Sequence, residues 1–479
     1  MSTIMPLYEI VYHEIVTEIY VGGLTFGDYL PNLKRLEEQY QVGRNTMRRS
    51  LQLLIENGFI QMTKEKRYQV IFDMNNPQYL ERYYYEMAQR RDAMQDVFYN
   101  LILLMPKLAE FSIRNGGAEG KREIIDSLDR VNTVDFTNGL ECFAVLNRIY
   151  QNALGKAKNP LVLSLFEALF YFIRIPYEKG RKGSYVMKMV APIIHMYLRR
   201  FKQALLQDDY LFLSDQIIHF CNLLNKTVSR HIDEFEMNIP PDQQYAFVWH
   251  PMQQREYSYE LLIAAILRRV GTFYEFGQEL PSYQELADIY SVSLKTSRKA
   301  IAVLSQMGIV HTANGRKAVL ADHFEKVESM LTYDDTLRNK IINFFDALHL
   351  LYITSEPPAA AAMKELENRN AVFVIHPQHP YVPYLIADVF DFIYGLIPSP
   401  AFQNIYQELK VLLSWGSLLD MVQRSRKSVL KQSAESVVDA IHKNPALVSN
   451  AFQKLLSDVY HELEACAKVY EINVPHKIV

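Results

Sequence analysis

The chain has 479 residues, too many for one hydrophobic core, and about 100–200 residues per domain predicts three or four domains. Hydrophobic residues make up 49% and charged residues 22%, as in ordinary globular proteins, while a formal net charge of −3 excludes a polycation, so any grip on phosphate must come from local Lys/Arg patches. Three scattered cysteines, Cys142, Cys221 and Cys466, exclude a disulfide framework and a Cys-x-x-Cys zinc site and predict a reducing compartment.

The first residues, MSTIMPLYEIVYHEIV, lack a basic start followed by an unbroken apolar run, so no secretory leader is expected. The longest apolar stretch, residues 161–173, is interrupted by Ser164 and Glu167 and is too short to cross a bilayer. A cytoplasmic protein with no membrane partner is expected.

Residues 1–75 read as one small unit. Val11, Ile15 and Ile19 give residues 8–20 an apolar helical face, which Gly22, Gly23 and Gly27 end. Pro31 and the N-cap candidate Asn32 open a short helix, Gly43 marks a turn, and a longer helix runs from Arg44 to about Asn57, where Gly58 stops it. Residues 59–72, with Lys64-Glu65-Lys66-Arg67 at the tip, read as a β-hairpin.

Residues 76–237 look wholly helical, with long amphipathic stretches at 80–113 and 187–206. Residues 238–254, beginning Asn238-Ile-Pro-Pro-Asp242, form the expected linker. Residues 255–322 repeat the first unit, and Ser282-Tyr-Gln-Glu285 supplies a capping box for its short helix. Residues 323–479 are again mostly helical. Asn159-Pro160-Leu161 in the first helical part and Ser399-Pro400-Ala401 in the second precede similar helices. The plan is therefore A-B-A′-B′: mainly α with small β-hairpins, an internal duplication whose halves can pack like a two-fold dimer in one chain.

The repeat is ungapped. Residues 26–60 and 276–310 share eleven identities: Phe26/Phe276, Gly27/Gly277, Leu30/Leu280, Pro31/Pro281, Leu36/Leu286, Tyr40/Tyr290, Val42/Val292, Thr46/Thr296, Arg48/Arg298, Leu54/Leu304 and Gly58/Gly308. In a helix-turn-helix the second helix enters the major groove with its first turn facing base edges. Met47, Leu51 and Leu54 have the spacing to hold that helix to a core, leaving Arg44, Asn45, Arg48, Arg49 and Gln52 outward. Arg bonds guanine bidentately, and Asn or Gln bonds adenine. Lys34 and Arg35 on the preceding helix suit backbone phosphates, and Lys66 and Arg67 at the hairpin tip suit an adjacent groove or phosphate. From Lys34 to Arg67 there are eight Lys/Arg against four Glu.

This pattern resembles the winged helix-turn-helix of the GntR family of bacterial transcription regulators, over about 65 residues in each half. The family's Leu-Pro-Ser, Arg, Leu-Ala, Val-Ser-Arg-x-Thr-Val-Arg-x-Ala-Leu and Gly-Leu-Ile correspond here to Leu30-Pro31-Asn32, Lys34, Leu36-Glu37, residues 42–51 and Gly58-Phe59-Ile60. The resemblance implies that Arg44, Thr46 and Arg48 are the main DNA-contacting positions, with Lys34 in place of a phosphate-contacting Arg. The second copy keeps the frame and changes the face. Leu294 replaces Arg44 and Gln284 replaces Lys34, while Ser293, Lys295, Thr296, Ser297, Arg298 and Lys299 remain polar or basic. Arg316 and Lys317 lie in its hairpin, and from Gln284 to Lys317 there are five Lys/Arg against two acids. The family's glycine-rich wing is absent in copy one and partial in copy two, at Asn314-Gly315-Arg316. The copies are not expected to read the same bases.

The resemblance also implies helical domains that sense a metabolite. One large subfamily holds a metal with an Asp and three His, but its Phe-His pair falls on Ile149-Tyr150 here, leaving Asp208, His195 and His219, so no metal is expected. Arg174, Arg199 and Arg200 have the chemistry to meet a carboxylate effector, though the simpler reading is surface arginines on amphipathic helices. The effector is left unidentified and no cofactor is expected. No phosphate loop, Gly-x-Ser-x-Gly, His-Glu-x-x-His or Gly-x-Gly-x-x-Gly is present, so no enzyme is expected.

The expectation is a ligand-responsive DNA-binding regulator. It has a winged helix at 1–75, a helical domain at 76–237, a linker at 238–254, a second winged helix at 255–322 and a second helical domain at 323–479. It would act on duplex DNA as a monomeric pseudo-dimer or a homodimer. Two rivals stay open: a scaffold whose winged helices bind protein, and a metabolite-binding protein with vestigial readers.

Overall fold

The computed structural model describes residues 7–20, 23–40, 42–73, 76–131, 139–173, 183–251, 258–271, 273–369, 382–423, 428–476 and 478. The chain divides into two units, residues 1–157 with 162–255, and residues 158–161 with 256–479.

The first unit runs α1 (Leu7–Tyr20), α2 (Leu33–Gln39), α3 (Arg44–Glu56), a hairpin of β1 (Ile60–Met62) and β2 (Tyr68–Val70), α4 (Pro77–Arg130), α5 (Gly139–Gly155), α6 (Pro160–Phe172), α7 (Gly183–Gln207) and α8 (Tyr210–Asp233). Of α6, Pro160 and Leu161 group with the second unit. Val11, Ile15 and Ile19 are buried as their spacing predicts. Around the end of α1, the Tyr20 ring meets Phe59, Phe72 and Tyr83 edge-on at 5.6, 5.2 and 5.5 Å, so the hairpin and α4 share one aromatic core. Asn76 caps α4 by accepting the Gln78 N–H, and Gly117, at φ 60°, breaks the helical path within it.

Within residues 238–254, expected as the linker, the segment around Phe247 and Trp249 is packed, while residues 240–244 are exposed. Tyr245 donates its N–H to the Gln89 carbonyl of α4 at 2.9 Å, and Trp249 is 1% exposed with its indole N–H on Ser164 Oγ at 3.1 Å. Phe247 and Trp249 carry too much apolar area to leave in water, which outweighs the polar composition around them.

The second unit runs α9 (Ser258–Leu267), α10 (Tyr283–Ile289), α11 (Leu294–Gln306), a hairpin of β3 (Val310–His311) and β4 (Val319–Leu320), α12 (Glu325–Tyr333), α13 (Asp335–Thr354), α14 (Glu356–Arg369), α15 (Val382–Gly395), α16 (Pro400–Leu413), α17 (Ser417–Val422), α18 (Ser428–Lys443) and α19 (Val448–Val469). The 250-residue offset holds in the hairpins: Ile60 pairs with Val70, and Val310 with Leu320. Gly27 and Gly277, and Gly58 and Gly308, all have positive φ, where glycine is needed to turn the chain. Asn159 and Ser399 accept the N–H groups of Leu161 and Phe402, so both motifs noted in the sequence are helix starts.

Among the described residues no helix is long and apolar enough to cross a membrane. Cys221 and Cys466 are free and buried, and burial pushes both thiols up to about 12. Cys142 has no described side chain.

Candidate nucleic-acid interface

In the first copy, Asn32 caps α2 by accepting the Arg35 N–H at 3.0 Å, as its position predicts. This leaves Lys34 and Arg35 exposed on the first turn, with Lys34 3.9 Å from Glu38. On α3 the apolar spacing divides the helix into two faces. Met47 and Leu54 are 0% exposed, Leu51 is buried beside them, and Ser50 Oγ donates to the Tyr8 carbonyl of α1 at 2.7 Å. Arg44, Asn45, Arg48, Arg49 and Gln52 project on the other side, and Thr46 is half-buried between them. Arg49 is steadied by Glu56 at 3.8 Å and lies 5.8 Å from the Tyr8 ring, while Arg44 and Arg48 engage no side chain among the described residues.

The wing tip has no glycine, and Lys66 itself takes φ 58°, a conformation that costs a side-chain-bearing residue about 1–2 kcal/mol. Arg67 packs over the Tyr29 ring, 4.0 Å from its centroid. Tyr29 was not among the expected site residues. Its signal was the aligned pair Tyr29/Glu279, which lies inside the repeat but outside the helix-turn-helix pattern.

The second copy keeps the architecture with a different surface. Ser293 caps α11, accepting the Thr296 N–H at 3.1 Å, and the two hydroxyls bond each other at 2.8 Å. Thr296 is half-buried, Lys295, Arg298 and Lys299 are exposed, and the Lys299 ammonium lies 4.6 Å from the Tyr259 ring centroid. Ser297 corrects the expectation that it faces DNA. It is 0% exposed and its hydroxyl donates to the Tyr283 carbonyl at 2.8 Å. It occupies the register of Met47, so the repeat itself carried the information that this position faces inward. Gln284 is exposed and donates to Asp288 at 2.9 Å. Arg316 is exposed in the hairpin, and Lys317 is ion-paired with Glu285 at 2.9 Å.

Of the helical-domain candidates, Arg174 lies outside the described residues. Arg199 and Arg200 are exposed, with Arg200 donating to Gln216 at 3.0 Å. Asp208 is paired with Lys121 at 2.8 Å, and His219 is exposed. Burial, then Arg199, holds the His195 imidazole below its usual value. Among the described residues no three His, Cys, Asp or Glu side chains group as metal ligands.

Two segments, residues 7–70 and 259–319, match the family model described as bacterial regulatory proteins, gntR family. No curated protein matches the chain at a significant level. Among solved structures, Streptococcus agalactiae GntR is 13% identical, covering 46% of this chain and 99% of that one, with a TM-score of 0.21. The structure titled "Lar controls the expression of the Listeria monocytogenes agr system and mediates virulence" is 13% identical over 48% of this chain and 99% of that one, with a TM-score of 0.24. E. coli McbR/YncC is 14% identical over 49% of this chain and 98% of that one, with a TM-score of 0.25.

Proposed function

We propose that this chain, in which two segments match the gntR family model, is a duplicated DNA-binding regulator that reads two non-identical half-sites on duplex DNA. In this reading α3 presents Arg44, Asn45, Thr46, Arg48 and Arg49 to one major groove, and α11 presents Lys295, Thr296, Arg298 and Lys299 to another. Lys34, Arg35, Lys66 and Arg67 meet phosphates or an adjacent groove, and Gln284 and Arg316 do so more weakly in the second copy. The observation that carries the reading is the two-sidedness of α3: Met47 and Leu54 are sealed at 0% exposure while Arg44 and Arg48 stand outward without a partner among the described residues.

The two sets of outward side chains differ, so the operator is an imperfect palindrome. A metabolite that prefers one arrangement of the helical domains would shift DNA occupancy by its differential affinity for the two states. Selection of bound sequences from a random duplex pool at physiological salt tests the proposal. It should enrich two related, unequal half-sites. Weak association that does not fall with salt would sink it and favour a protein-binding role.

A further inference from the structure

The two readers carry opposite charge at one aligned position. Arg35 on α2 and Glu285 on α10 are 250 residues apart in the repeat, and both are exposed. Glu285 is not a loose surface carboxylate. Its Oε2 accepts the Ser282 backbone N–H at 2.6 Å, and its own N–H donates to Ser282 Oγ at 3.2 Å. This reciprocal cap fixes the carboxylate in place before anything else binds it. The same Oε2 receives Lys317 Nζ from the second wing at 2.9 Å. The Ser282 N–H first, then Lys317 and the Ser282 hydroxyl, bring the Glu285 carboxyl down to about 2, so the anion persists at any neutral pH.

The first wing is arranged otherwise. Arg67, the counterpart of Lys317, makes no ion pair among the described residues and rests on the Tyr29 ring at 4.0 Å. An aromatic face holds a cation in position without neutralising it. The counterpart of Tyr29 is the exposed Glu279, another acid on the second reader.

We propose that Glu285 restrains the second reader: it holds the wing's Lys317 against α10, withdraws that cation from DNA phosphate, and so makes the two readers unequal in strength. The inference rests on the DNA-binding reading above. An exposed ion pair is worth little, so releasing Lys317 from it changes affinity only a few-fold.

The test uses the full chain and a fluorescent random-sequence duplex, with binding followed by anisotropy across a salt series. Glu285→Gln keeps the capping acceptor and removes the charge. It should tighten binding about two- to five-fold and steepen the slope of log affinity against log salt by about 0.9, the signature of one more phosphate contact. Adding Lys317→Gln should return the slope to that of the wild type. Lys317→Gln alone should leave the slope unchanged, and it tests the restraint from the other side should Glu285→Gln disturb the cap. A slope that drops by about 0.9 with Lys317→Gln alone would show Lys317 already on phosphate and overturn the inference. So would a Glu285→Gln slope change that survives loss of Lys317. Arg44→Ala with Arg48→Ala separates the two levels. If wild type binds, this pair weakens it and Glu285→Gln changes nothing, the inference alone fails. If wild type shows no salt-dependent binding, the DNA-binding reading fails and takes the inference with it.

Discussion

The Tyr20 hydroxyl donates to Glu86 Oε2 at 2.6 Å, joining the last residue of α1 to the long helix α4 inside the first unit. Burial first, then the Glu86 carboxylate, holds the Tyr20 phenol well above its ordinary value, so it is a donor at any working pH. The other Glu86 oxygen accepts Arg82 Nε at 2.9 Å, and Arg82 also reaches the Tyr12 hydroxyl at 3.3 Å and the Asn57 carbonyl at the end of α3. Glu86 and Arg82 together therefore tie the end of α1 and the end of α3 to α4.

Glu86→Ala should destabilise the first unit by about 2–4 kcal/mol, because Arg82 and the Tyr20 hydroxyl lose their buried partner together. Tyr20→Phe should cost about 1 kcal/mol, since Arg82 still satisfies Glu86. The chain has two tryptophans, Trp249 in the first unit and Trp415 in the second. Denaturation followed by fluorescence in a Trp415→Phe background reads the first unit alone, and an unchanged midpoint for Glu86→Ala would refute the network.

Arg44→Ala and Arg48→Ala should each weaken specific DNA binding by about 1–3 kcal/mol and relax preference at one base pair. Both side chains are exposed, so the thermal midpoint should not move. Equal affinity and equal sequence preference in the variants would reject α3 as the recognition face.

Ser297 and Met47 share a register and face inward in both copies. Met47→Ala should cost about 2–5 kcal/mol through the cavity it leaves. Ser297→Ala should cost about 1 kcal/mol by removing the bond to the Tyr283 carbonyl. Sequence preference measured on the folded Ser297→Ala protein should match wild type, and a changed preference would restore Ser297 to the DNA face.

Gly58 and Gly308 stop matching helices at φ 69° and 78°. At Gly58 an added Cβ meets nothing within 4 Å, so Gly58→Ala should cost only the left-handed strain of about 1–2 kcal/mol. At Gly308 the Cβ would sit 2.8 Å from Lys326 Cβ on α12, so Gly308→Ala should cost more. Chemical denaturation of both variants decides the order, and the reverse order would contradict the close approach of α12.

His349 in α13 stacks on His476 with ring centroids 4.3 Å apart, and its Nδ1 lies 3.2 Å from the Asn159 amide nitrogen. His476 in turn bonds Asp346. Burial first, then His476, brings the His349 imidazole down to about 3, against an ordinary value of 6.5. Between those two pH values the unfolded chain binds more protons, so this contribution to stability falls as pH drops from 6.5 towards 3 and is constant above 6.5. In a Trp249→Phe background, which reports on the second unit, His349→Leu should flatten the acid limb by up to about 1.4 kcal/mol per pH unit. An equally steep limb would show that His349 does not titrate there.

The helical and hairpin elements were legible because they rest on local chemistry. The spacing of Val11, Ile15 and Ile19, the caps at Asn32 and Ser282, and the stops at Gly58 and Gly308 act within a few residues of chain. The division of α3 into Met47, Leu51 and Leu54 against Arg44 and Arg48 followed from helical period alone. The polarity of Ser297 suggests an outward face, but its register is that of Met47, and a buried serine is satisfied when a backbone carbonyl is within reach.

What the sequence by itself determined is the duplicated frame and the chemical character of each outward face, since periodicity, capping and glycine placement need no distant partner. Only the tertiary structure decided which charges are free to act. Lys317 is held by Glu285, Arg67 is propped on Tyr29, and Phe247 and Trp249 turn a polar stretch into packed chain. Each of these outcomes depends on two groups far apart along the chain meeting at a few ångströms, and no local pattern encodes that distance.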